Sequence, residues 1–247
     1  MLGRIALAST CGIFIFRDAT QLSTRPAPYA FESTVVGTKA LTKWPACSTI
    51  YYSVELGSAP RNAAAVIARD TALAHRITGL AFHRIETGAP PSFVSYDTSG
   101  HVAPVIFAWV GADQLFGQKN VNAVTVPIVN ALRTHYTSGI VLFNDDMNAA
   151  FQTDPKFANN LVLHELGHVL GLADVDNASA VMNYYLQPGT AIGSYASGDV
   201  TGLHRLYPSV CRAKGISREW PVLGTGPHSG TSGLTYRTAL QREETWE

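Results

Sequence analysis

The chain has 247 residues, 46% of them hydrophobic, enough to bury one sizeable core, and a single folded domain is the expected count. Its 18 basic residues balance its 18 acidic ones, and no basic run occurs. That balance excludes the cationic surface a nucleic acid or an anionic membrane would require, so neither is expected as a partner.

Arg4 precedes an apolar run from Ile5 to Phe16, which Arg17 and Asp18 end. The run is too short to span a bilayer and matches the apolar region of an export signal. Residues 1–17 therefore read as a signal-peptide-like leader of a secreted protein, with a buried strand or helix as the alternative. Residues 18–43 are rich in Thr, Ser, Ala and Pro and read as a loose N-terminal segment or short propeptide. Loss of the leader removes Cys11 and leaves Cys47 and Cys211. An even pair in an exported chain favours a disulfide joining the two ends of the domain; two free thiols are the alternative.

The folded domain is expected over residues 44–208. Ser48 to Leu56, with aromatic and β-branched residues, predicts a first strand, and Ala-rich Asn62 to Thr78 predicts a helix ended near Gly79. Leu80 to Glu86 predicts a second strand, Gly88 to Gly100 a loop, and Val105 to Val110 a continuous apolar strand buried on both faces. After irregular residues 111–120, Val121 to Ile128 and Leu132 to Phe143 predict one or two further strands, then a polar loop from Asn144 to Thr153. A long helix follows, with Asp154 as N-cap, Pro155 at the first helical position, and an apolar stripe through Phe157, Leu161, Val162 and Leu166. Gln187 to Ser197 reads as a loop and Gly198 to Tyr207 as a last helix. Residues 209–247, rich in Gly, Ser and Thr and ending in charges, are expected to be a disordered tail. The order of elements predicts an α/β (α+β) layout, a mixed sheet covered by two long helices.

The chemistry concentrates in Leu161 to Asp174, LVLHELGHVLGLAD. His164 and His168 are four residues apart and share a helix face, so both imidazoles can reach one Zn²⁺. Glu165 follows the first histidine and can reach a water at that metal, which makes it the candidate general base. Gly171 lets the chain leave the helix through a left-handed turn. The turn can return Asp174, six residues past His168, as a third ligand; Asp176 is the rival. One catalytic Zn²⁺ is thus the expected cofactor.

The run H-E-L-G-H-V-L-G-L-A-D, followed by V-M-N-Y, resembles the metzincin zinc endopeptidases, and most closely the matrixin-like domains of secreted bacterial proteases. The resemblance covers roughly Lys43 to Pro208. It implies a twisted mixed sheet above a zinc cleft, and a small C-terminal subdomain in which Met182 is the Met-turn residue beneath the ligands. Without the zinc motif, Met182 would read as an ordinary core methionine. Most metzincins have His at the position of Asp174, whereas the bacterial snapalysins have Asp. Cys47 lies in WPACST, which does not match the matrixin propeptide switch. Tyr184, two residues after Met182, occupies the offset at which astacins and serralysins place a tyrosine near the metal. It would either donate to the oxyanion of the reaction or pack in the lower subdomain.

What the resemblance implies is a zinc endopeptidase acting on protein or peptide substrates; a monomer with no membrane association in the mature form is the expected state. A structural Ca²⁺ is compatible with the family but is not shown by the sequence. A zinc-binding module without activity and a zinc hydrolase of a non-protein amide are the competing readings.

Overall fold

The computed structural model describes residues 28–35, 37–85, 104–116, 121–130 and 133–208. The leader-like run, residues 18–27 of the following segment, the tail and Cys211 lie outside the described residues.

Five strands form one sheet in the order β3-β2-β4-β6-β5: β2 (Thr49–Val54), β3 (Ala81–Arg84), β4 (Val105–Val110), β5 (Ala123–Val129) and β6 (Tyr136–Asn144). β2 runs parallel to β3 and β4, and β4 parallel to β6. β5 is antiparallel to β6 and forms one edge, so the sheet is mixed, as expected. β4 lies between two parallel neighbours, which is why its sequence VIFAWV is an unbroken apolar run. The helix expected after β2 is α1 (Ala63–Thr78), closed by Gly79 in the left-handed conformation at φ 74°. The last helix is α4 (Ser197–Leu206).

Helix α3 (Pro155–Leu170) crosses the core and carries the histidine motif. Its start is fixed as its sequence predicts. Asp154 Oδ1 accepts the amide protons of Lys156 and Phe157 at 3.0 Å each, and Pro155 occupies the first turn, where a missing N–H matters least. Phe157, Leu161, Val162, Leu166 and Leu170 join Ile50, Phe107, Val141 and Phe143 of the sheet in the main hydrophobic cluster. The late carbonyls of α3 find side-chain donors. Trp44 Nε1 donates to Val169 O at 2.8 Å, and the Tyr207 hydroxyl to Leu170 O at 2.7 Å. Both donors are buried, so the end of the helix is anchored from either end of the domain.

Two regions differ from expectation. The polar stretch 144–153 is not only a loop: Asn144 accepts from Asp146 N, a 3₁₀ turn follows, and Asn148–Thr153 form a short helix, α2. Its one buried residue is Phe151, edge-on to Trp109 at 5.6 Å between centroids, so there is no helical period of apolar positions to read. The described residues within 28–43 also include paired backbone. Ala30–Phe31 form a strand, β1, paired antiparallel with a two-residue strand after α3, β7 (Leu172–Ala173), and Thr42 N donates to Ser33 O. A two-residue strand has no alternation to detect, and its partner lies far along the chain. Among the described residues no helix is long and apolar enough to cross a membrane.

Candidate metal centre

His164 and His168 project from the same face of α3, one turn apart. His164 Nδ1–H donates to Val181 O at 2.8 Å, and His168 Nδ1–H to Leu172 O at 2.9 Å. A carbonyl oxygen only accepts, so Nδ1 of each ring carries a proton, and Nε2 is the nitrogen left to bind a metal ion or a second proton. Those two Nε2 atoms face each other at 3.1 Å. Two lone pairs at that separation repel unless a cation or a proton lies between them.

Asp174 completes the group. Gly171 caps α3 at φ 99°, and its N–H closes on Gly167 O and His168 O. The chain then turns through β7. Val175 N donates to Met182 O at 2.8 Å and Tyr184 N to Val175 O at 3.3 Å, so the segment after the turn is pinned to residues 182–184. Asp174 Oδ1 thereby lies 3.2 Å from His164 Nε2 and 3.4 Å from His168 Nε2. A tetrahedral ion with bonds near 2.0–2.1 Å holds its ligand atoms about 3.3 Å apart, so this triangle has the dimensions of one face of a zinc site. His164, His168 and Asp174 form the group of described residues that could hold a metal ion, and Asp176 is not a member of it. In the metal-free centre, burial works against a charge on His168. The hydrogen bonds and charges of Asp174 and Glu32 outweigh it and hold the imidazole pKa well above the ordinary value. Burial likewise opposes ionisation of Asp174, yet the bonds from His164 and His168 hold it well below the usual carboxylate range.

Glu165 is buried between α3 and the edge strand β5, where its Oε2 accepts the hydroxyl proton of Thr125 at 2.6 Å. The carboxylate of the expected base is thus oriented by a residue of β5. Beneath the histidines, Met182 is buried against α3 at Gly167, where a Cβ would collide with its sulfur. The Met182 turn is held from below by Asp199 of α4, whose Oδ2 accepts from Val181 N at 3.0 Å and Ala196 N at 2.9 Å. Tyr184 is 60% exposed, so its ring does not pack in the lower subdomain.

Sequence reasoning missed four residues of this arrangement. Glu32, Thr125 and Asp199 touch or support the centre through tertiary packing and belong to no spaced motif, while Gly167 lies inside the H-E-L-G-H run at a position whose role only its contact with Met182 reveals. Of the first three, Asp199 alone left a trace, as an acid in the first turn of a helix. Cys47 is placed, but its proposed partner Cys211 lies outside the described residues.

Two histidines one helical turn apart converge with Asp174 below a mixed sheet, a donor set of the kind that holds a catalytic metal ion. Residues 60–208 match the matrixin family, and the chain belongs to it. No curated protein matches the chain. Matrixins are zinc metallopeptidases, and the donor set here fits that metal.

Two linkages follow for pH. The raised pKa of His168 stabilises the metal-free fold most below about pH 6.5, and that contribution is lost as pH rises through the folded-state value. Zinc must displace the same proton, so its apparent affinity weakens as pH falls, beginning above the ordinary histidine range. Melting temperatures taken with and without zinc from pH 6 to 9 should therefore diverge as pH rises. Parallel curves would contradict the assignment of the proton to His168.

Proposed function

We propose that the protein is a zinc endopeptidase in which His164, His168 and Asp174 hold the metal and Glu165 is the general base. The observation that carries this reading is the convergence of two imidazole Nε2 atoms and one carboxylate oxygen at 3.1–3.4 Å, next in sequence to a buried glutamate. The matrixin match supports it.

Zinc, when bound, would lower the pKa of water and polarise the scissile carbonyl. Glu165 takes the proton from the attacking water and later delivers it to the leaving amine. Thr125 keeps the Glu165 carboxylate turned toward the β5 side, where an extended substrate can add to the sheet edge by backbone hydrogen bonds. The exposed Tyr184 ring follows the Met182 turn, where its hydroxyl is free to donate to the oxyanion of the tetrahedral intermediate. We read residues 1–17 as an export leader and the working protein as a secreted monomer of the bacterial matrixin-like type. A Cys47–Cys211 bridge fits that setting. Cys47 and Pro208 line one small cavity, and in sequence Cys211 follows Pro208 by three residues.

Glu165→Gln should retain zinc while casein hydrolysis falls roughly a hundredfold or more. Tyr184→Phe, assayed beside it, should lower turnover with zinc content unchanged. Full turnover in zinc-loaded Glu165→Gln would remove that residue from the mechanism, and an unchanged rate in Tyr184→Phe would remove the phenol.

Asp174→Ala leaves two protein ligands and should weaken zinc binding sharply, whereas Asp174→His should keep both metal and activity. Asp176→Ala should bind zinc as the parent does. The reverse pattern between the two alanine variants would transfer the third position to Asp176.

For the bridge, peptide mapping of the exported protein without reductant should recover one fragment containing both Cys47 and Cys211. Two alkylatable thiols would reject it.

A further inference from the structure

One contact at the centre comes from outside the stretch that matches the family. Glu32 Oε1 lies 2.7 Å from His168 Nδ1, on the side of the ring opposite the one that faces His164 and Asp174. We propose that Glu32 is a positioning residue for His168 as a metal ligand, and that the strand carrying it belongs to the working metalloprotein and not to a removable propeptide. The proposal rests on the zinc reading above.

The carboxylate is delivered by backbone pairing. Ala30 and Phe31 pair with Ala173 and Leu172, and Glu32 N donates to Gly171 O at 3.0 Å. The strand is therefore laid along the turn that joins His168 to Asp174, and it braces both. It is also fitted to the body of the domain. Gly202 of α4 has no Cβ where one would come within 3.0 Å of Tyr29 Cβ, and Gly198 has none where one would strike the Pro28 carbonyl. The Arg205 guanidinium lies over the Tyr29 ring at 5.5 Å from its centroid. A segment cleaved off on maturation would leave that seat on α4 exposed.

The two histidines are served differently. His164 Nδ1–H meets the neutral carbonyl of Val181, whereas His168 Nδ1–H is shared between Leu172 O and the charged Glu32. Either acceptor fixes the tautomer. Only the carboxylate also adds negative charge behind the ring, which makes Nε2 a stronger donor to a cation and resists rotation of the imidazole. Glu32 is one-fifth exposed, so solvent screens this charge only in part.

The test compares full-length parent, Glu32→Gln and Glu32→Ala. Zinc dissociation constants are taken by competition with a chromophoric chelator, and the His168 Nδ1–H resonance is followed by NMR in the zinc-loaded proteins. Glu32→Ala should weaken zinc binding roughly ten- to hundredfold. Glu32→Gln should weaken it less, because its amide oxygen still accepts the ring proton, and should shift the His168 resonance upfield. If Glu32→Ala does not fold, the near-isosteric Glu32→Gln decides alone. Zinc affinities within twofold of the parent would overturn the proposal. So would equal losses in both variants with the resonance unmoved, which would mark Glu32 as a packing residue. A parent that binds no zinc would overturn the underlying reading as well. N-terminal sequencing of active protein from its own expression host should find Glu32 retained, and active protein that begins after Glu32 would overturn the claim about the strand.

Discussion

Two imidazole Nε2 atoms 3.1 Å apart on one helix face are an arrangement that a folded protein does not hold without reason. Either a proton or a metal ion must sit between them, and the surrounding structure is arranged around that requirement. Each ring is turned inward because its other nitrogen donates to a backbone carbonyl. One carbonyl belongs to the Met182 turn and the other to the strand just past Gly171. The orientation of the ligands thus depends on chain that follows α3, and α3 in turn depends on a core that buries nearly all of it.

That dependence explains the tight fastening of the lower part of the molecule. The loop between the Met182 turn and α4 is tied to α3 by Asn159 and Asn160. Asn159 donates to Gly193 O at 2.7 Å, while Asn160 donates to Thr190 O and accepts from Gly193 N. The Tyr195 hydroxyl donates to Leu163 O at 2.7 Å, one residue before the first histidine. Asp199 is fully buried, and burial raises its pKa against the backbone hydrogen bonds that favour its charge. A desolvated carboxylate beneath the turn is tolerated because backbone amides converge on one of its oxygens. These contacts hold the carbonyl of Val181 where His164 needs it.

The upper part positions the remaining chemistry by a different route. β5 is antiparallel at one edge of the sheet, and it contributes the hydroxyl that meets Glu165. The buried glutamate and the sheet edge are therefore set by the same strand.

Much of this was legible in the sequence because it is local. Helical periodicity places His164 and His168 on one face, Asp154 and Pro155 start the helix, Gly171 ends it, and the unbroken apolar run of β4 marks a strand between two parallel neighbours. These follow from interactions spanning a few residues, which leave a pattern in the order of amino acids. The tertiary structure alone decided what depends on distant chain meeting at one point. Glu32 reaches His168 through a two-residue strand, Thr125 reaches Glu165 from the sheet edge, and the small turn of α2 buries a single phenylalanine. Such contacts carry no spacing, since each needs only one side chain of the right chemistry on an element whose path is set by the packing of the whole core.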